Sequence, residues 1–170
     1  MNHSPVLRGA MIVDALKAAG IRFIAALPDI VTCEAVLWPI SRDRDFKLVM
    51  VCKEDEGVSI CAGLSHAGLR AALLMQHTGF LDSINAIRAL GMDYGLPIVM
   101  MVGLQGMEAE LDPEHSGHNG IRILKPILRA MTIDHAVVDE HADAGAITAA
   151  IDNAYEHSRP LVFLISRPPR

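Results

Sequence analysis

A chain of 170 residues, 51% hydrophobic and 21% charged, has the balance of a core-rich globular protein, and its length fits one domain over residues 1–170. The net charge of −5 and an aromatic content of 4% argue against nucleic acid as a partner, which needs a basic field and stacking surfaces. No apolar run reaches the ~20 residues of a membrane span. The first residues lack the cationic and apolar stretches of a signal peptide, and Cys33, Cys52 and Cys61 lack metal spacing, which points to reduced thiols and a cytoplasmic location.

In chain order, Ser4 and Pro5 read as a helix cap and first turn, with Val6, Met11, Ile12, Ala15 and Leu16 as the buried stripe and Gly20 as the end. Residues 23–27 form the first strand, stopped by Pro28, and Thr32 caps a short helix reaching Leu37. The second strand covers 47–52 and a Gly- and Ala-rich helix covers 54–67. A third strand at 71–75 precedes a helix over 81–90 that Gly91 stops. The fourth strand is 97–102. Residues 103–120 are polar and rich in Gly and His, which reads as a long functional loop. Pro126 opens a helix ending near Met131. A strand at 136–138, a helix at 142–157 and a strand at 161–165 follow Pro126 in turn, and 167–170 is an extended end. Six strands alternating with helices predict an α/β fold: a parallel sheet in a three-layer α/β/α arrangement.

Ligands of open parallel sheets bind outside the carboxyl ends of the strands, and the polar residues of this chain gather there. The second strand runs into Glu54, Asp55 and Glu56. The third runs into Gln76, His77, Thr78 and Gly79, and the first into Leu27-Pro28-Asp29. Each residue also has a plain structural reading. Acids favour helix starts, Asp29 suits a turn after proline, and Thr78 suits a cap. In the long loop, His115 and His118 bring imidazoles, side chains suited to proton transfer. They equally suit a metal together with His77, although the spacing matches no zinc motif, or a solvated loop. A hydrolase built on this loop stays open as a rival, without a Gly-x-Ser-x-Gly elbow, phosphate loop or dinucleotide fingerprint.

Glu54 with Gly63 nine residues on, the segment Met75-Gln76-His77-Thr78-Gly79, and Leu27-Pro28-Asp29 resemble the pyrimidine-binding domain of thiamine-diphosphate-dependent decarboxylases. The likeness is strongest to those acting on sulfopyruvate and phosphonopyruvate. It covers nearly the whole chain and is specific at Glu54 and at 76–79. The resemblance implies the thiamine-diphosphate-binding fold of pyrimidine type, with six parallel strands. It implies that Glu54 shares a proton with the aminopyrimidine of thiamine diphosphate, and that Gln76, Thr78 and Gly79 also hold the cofactor. Gln76 and His77 would contact substrate, His77 standing where Asn is commoner. Asp29, His115 and His118 would move protons.

The Gly-Asp-Gly of a diphosphate-binding domain does not occur, and Gly91-Met92-Asp93-Tyr94-Gly95 does not supply it. The resemblance therefore implies the α subunit of a two-chain enzyme. A β subunit would carry the diphosphate domain and Mg2+, in an α2β2 or larger assembly joined through helices 57–67 and 81–90. The implied reaction converts sulfopyruvate to sulfoacetaldehyde and CO2. Phosphonopyruvate or another 3-substituted pyruvate, or a non-catalytic assembly subunit, are the alternatives.

Overall fold

The computed structural model describes residues 7–108, 111–139 and 144–170. Its six strands are β1 (Phe23–Ala26), β2 (Lys47–Met50), β3 (Ala71–Gln76), β4 (Val99–Gly103), β5 (Asp134–Val138) and β6 (Leu161–Ile165). They form one sheet in the order β2-β1-β3-β4-β6-β5, and all neighbours run parallel. Every residue of β4 and β6 is buried, as the continuous apolar runs of a sheet covered on both faces require. The edge strand β2 is largely exposed.

Strand alternation divides the core. Ile24, Leu74, Met101 and Phe163 point to one face, covered by α1 (Gly9–Ala18), α2 (Trp38–Arg42) and, later in the chain, the helix Ala144–Glu156. Leu73, Met75, Met100 and Leu164 point to the other. That face is covered by α3 (Glu54–His66), α4 (His77–Asp82), α5 (Ile84–Ala86), α6 (Asn119–Arg122) and α7 (Leu124–Ala130). With Ala144–Glu156 as α8, the layers are α/β/α. Each fully buried large aliphatic side chain contributes about 1.5–3 kcal/mol relative to exposure.

The elements differ from the sequence expectation where a contact overrides a local signal. Arg8 is extended, and α1 opens at Gly9, where the helix start packs closely on Ala35. A Cβ at Gly9 would lie 1.9 Å from the Ala35 carbonyl oxygen. The expected cap and stripe residues Ser4, Pro5 and Val6, and the expected helix start at Ala142, lie outside the described residues.

Thr32 caps no helix through its side chain; its hydroxyl donates to Asp29 instead. The chain then winds as a π turn over Cys33–Leu37 and continues into α2. Pro39 permits that continuation because it falls in the first turn of the helix, where no N–H is needed. Gly91 stops nothing. It lies within a π-wound stretch, Ile87–Asp93, and faces Pro160, whose ring would sit 3.2 Å from a Cβ. The preceding helix starts earlier than expected, at His77. The 103–120 loop contains a 3-10 turn at Pro113–His115 and the start of α6. Residues 167–170 are tied back at Arg170, which exchanges backbone bonds of 2.9 Å with Leu7 and Gly9.

A methyl group at Gly9 would meet rigid backbone. Gly9→Ala should therefore destabilise the fold by about 1–3 kcal/mol, the usual range for overpacking, read as a lower urea midpoint. An unchanged midpoint would show that the α1 contact is not tight.

Candidate functional site

The chain leaves β1 for β2 on one side and returns to β3 on the other. This creates a topological switch point whose crevice opens at the carboxyl ends of β1 and β3. Three acids open α3 at the rim of this crevice, and each is used differently. Glu56 accepts the backbone amides of Cys52 at 3.0 Å and Lys53 at 3.2 Å, closing the helix start. Asp55 lies 3.8 Å from the Lys53 ammonium. Glu54 is half-buried and makes no hydrogen bond or ion pair among the described residues.

The Glu54 carboxylate instead lies against the backbone of Gly79, where a Cβ would stand 2.1 Å from Oε1. Gly79 is thus the residue that lets the first turn of α4 approach the first residue of α3. A cleft of about 540 Å³ opens beside this contact, lined by Glu54, Thr78, Gly79, Leu81 and Asp82. Thr78 is exposed and is the second residue of α4 rather than its cap. Gln76, half-buried, ends β3 immediately before it.

A second group of residues assembles on the other side of His77. Asp29 is 4% exposed. Its Oδ1 accepts from the Val31 amide at 2.7 Å and the Thr32 amide at 3.1 Å, and Oδ2 accepts the Thr32 hydroxyl. Burial raises the Asp29 carboxyl above its ordinary value, with the Thr32 hydroxyl and the two amides opposing. Gly103, at the end of β4, closes over it: a Cβ there would lie 2.4 Å from Asp29 Oδ1.

His77 is 7% exposed, and its Nδ1 is buried with no hydrogen-bond partner. Burial pushes the imidazole below its ordinary value. The Gly103 carbonyl and Asp29 oppose this, while His118 adds to it. Gly120 makes room for the ring, since a Cβ there would stand 3.3 Å from His77 Cδ2. Asp29, His77 and His118 therefore come within electrostatic reach of one another. His115 sits exposed on the 3-10 turn, where it acts on Asp112.

Gly103, Gly120, Glu108 and Ser116 also shape this side of the site but were not singled out in the sequence. For Gly103 a signal existed, because a glycine ending a buried strand marks close backbone approach. Among the described residues no group of three or more His, Cys, Asp or Glu is placed to hold a metal ion, and no helix is long and apolar enough to cross a membrane.

No family model matches the chain. Over 95 residues it is 33% identical to the sulfopyruvate decarboxylase subunit alpha of Methanococcus maripaludis, covering 56% of each chain. It is 37% identical over 95 residues to the sulfopyruvate decarboxylase subunit alpha of Methanothermobacter thermautotrophicus, covering 56% of this chain and 57% of that one. Identity to the sulfopyruvate decarboxylase of Methanosarcina acetivorans is 27%, across 91% of this chain and 39% of that protein. The chain thus spans about half the length of the curated relatives it matches, or less. Its fold superposes on a 2-oxoglutarate:ferredoxin oxidoreductase from Magnetococcus marinus with a TM-score of 0.60 at 15% identity, over 96% of this chain and 31% of that one.

Two outcomes follow from the geometry. Gly79→Ala should fold, because the added methyl meets the mobile end of Glu54, but it should drive that carboxylate to a new rotamer in a crystal structure of the variant. An unmoved Glu54 would contradict the contact. His77 titrates lower in the folded chain than its ordinary 6.5, so between the two values the unfolded chain binds more protons. Its contribution to stability is therefore complete above about 6.5, falls as pH drops into that window and levels off below the folded value. His77→Asn should flatten the urea midpoint against pH in this window, and an unchanged slope would contradict the burial of the ring.

Proposed function

We propose that this chain, similar in sequence to sulfopyruvate decarboxylase alpha subunits, is the α subunit of a two-subunit thiamine-diphosphate-dependent decarboxylase. In this reading it is a single pyrimidine-binding domain that acts, with its partner, on sulfopyruvate to release sulfoacetaldehyde and CO2. The observation that carries the reading is Glu54. Of three neighbouring acids, Glu56 closes the helix start and Asp55 stands 3.8 Å from the Lys53 ammonium, while Glu54 has neither hydrogen bond nor ion pair among the described residues and is turned onto a glycine at the mouth of a cleft.

The residues present fit the cofactor. Glu54 is a half-buried acceptor without a partner among the described residues, and the cleft of about 540 Å³ beside its contact with Gly79 leaves room for a flat ring. When bound, thiamine diphosphate would supply the electron sink that takes up the pair left as CO2 departs. Glu54 would share a proton with a ring nitrogen of the pyrimidine, and Gln76, Thr78 and Gly79 would orient that ring. His77, whose buried Nδ1 has no hydrogen-bond partner among the described residues, would contact the substrate anion, with Gln76 beside it. Asp29, His118 and His115 would hold or deliver the proton that replaces the carboxylate. For Asp29 this action runs through His77, because both of its oxygens are engaged in its own loop.

The partner would be a β subunit carrying the diphosphate-binding domain and Mg2+, in an α2β2 or larger assembly. Gly63 supports such an interface. It is exposed in mid-helix, and a Cβ there would meet nothing within 4 Å. Glycine at such a position costs about 1 kcal/mol against alanine, and no contact among the described residues requires it. Glu56, Ser59 and His66 share its exposed face. Close by, Met50 is 49% exposed at a second cleft of about 560 Å³ with Val51, Cys52 and Ile60. With three free cysteines, we place the assembly in the cytoplasm. Phosphonopyruvate, another 3-substituted pyruvate and a purely assembling role are the competing readings.

The test is co-expression with a Gly-Asp-Gly-bearing chain, followed by CO2 release from sulfopyruvate and phosphonopyruvate with thiamine diphosphate and Mg2+. Activity should require both chains and be greater on sulfopyruvate. Activity of either chain alone, or an inert mixture, would defeat the proposal. Gly63→Leu should leave the melting temperature of the isolated chain unchanged or raised, yet abolish co-purification. Retained assembly would remove α3 from the interface.

A further inference from the structure

Glu108, Ser116 and Arg122 carry no role in the proposed function, yet they form a densely bonded polar cluster in the loop before α6. Ser116 is 1% exposed. Its Oγ donates to Glu108 Oε2 at 2.7 Å and accepts the His118 amide at 3.1 Å. The other carboxylate oxygen, Oε1, accepts the Gly117 amide at 2.8 Å. From α6, the Arg122 guanidinium donates to the carbonyls of Ser116 at 2.9 Å and Gly117 at 3.4 Å, and to Asn119 Oδ1 at 2.9 Å. Donors and acceptors of the two residues before His118 are thus taken from both sides.

The His118 ring itself makes no hydrogen bond among the described residues. It lies over Gly106, where a Cβ would be 3.3 Å from Nε2, and Gly106 has a φ of +87° that favours glycine. The backbone is fixed while the ring is left free, as a proton-transfer group held in place requires.

We propose that Glu108 is a positioning residue for His118. Acting through Ser116 and Gly117, it holds the His118 ring over Gly106 and beside His77, at the proton-transfer side of the proposed decarboxylase site. The inference rests on that reading for its catalytic meaning and on the loop geometry alone for its structural content. Glu108 is suited to the task because it stays ionised. The Ser116 hydroxyl above all, then backbone amides including Gly117, hold its carboxyl below the ordinary value, and His118 adds to this. The titratable groups within electrostatic reach of His118 are Glu108 from its own loop and His77 from α4, and the nearby Arg122 of α6 is already bonded to the Ser116 and Gly117 carbonyls and to Asn119.

The test uses Glu108→Gln, Ser116→Ala, His118→Ala and the double variant Glu108→Gln/His118→Ala in the assembled enzyme. Glu108→Gln and Ser116→Ala should each lower kcat about tenfold with KM little changed, part of the ~10²–10⁴ that a positioned acid–base group contributes. The double variant should be no slower than His118→Ala, because a positioning residue has nothing left to position. Losses that multiply in the double variant would overturn the proposal. In the chain by itself, a nuclear Overhauser contact between the His118 ring and the Gly106 α protons should be present and should vanish in Glu108→Ala. Its persistence would also overturn the proposal. An inert wild-type assembly with the expected Overhauser result would overturn the decarboxylase reading and leave the positioning contact established.

Discussion

The approach of Gly79 to Glu54 is the constraint on which the site depends. α3 and α4 each begin at the end of a strand, β2 and β3, and their first turns meet only because one of them lacks a side chain at the contact. A Cβ at position 79 would overlap the carboxylate. The contact leaves an acid at the mouth of a cleft with no partner of its own, while Glu56 takes over closure of the helix start. An unpaired carboxylate in a half-buried position costs stability unless a ligand completes it, and the proposed function assigns that part to the cofactor's ring.

The two sides of the crevice use opposite electrostatic strategies. On the Glu54 side an acceptor is kept free. On the Asp29 side the carboxylate is saturated by its own loop, and burial pushes the acid up and the neighbouring imidazole down. Both shifts disfavour charge, so the field that Asp29 and His77 present depends on what enters beside them. Gly103 and Gly120 allow this density of polar groups, standing at the points where a methyl group would touch Asp29 or His77.

Much of this was legible in the sequence because it depends on short-range order. Apolar runs bounded by Pro, Gly and acids marked all six strands, and β6 matched to the residue. The polar residues after β1, β2 and β3 had to share one end of the sheet once the strands were parallel. What could not be read depends on contacts that no local pattern announces. Gly91 looked like a stop because its role as a contact with Pro160 is invisible locally. Thr32 looked like a cap because its bond to Asp29 needs the π turn that follows. Only the resemblance singled out Glu54 from Asp55 and Glu56; the backbone's claim on Glu56 has no local signal. Glu108 and Ser116 are eight residues apart in a loop without periodicity, and nothing local pairs them.

The central claim is that Glu54 acts on the cofactor's pyrimidine ring. The most direct measurement is the rate of hydrogen–deuterium exchange at the reactive thiazolium carbon of thiamine diphosphate bound to the assembled enzyme, for wild type and Glu54→Gln. The account predicts exchange slowed by about 10²–10⁴ in the variant, the range for loss of a positioned acid–base group, with the cofactor still bound. Equal exchange rates with the cofactor bound in both would contradict it.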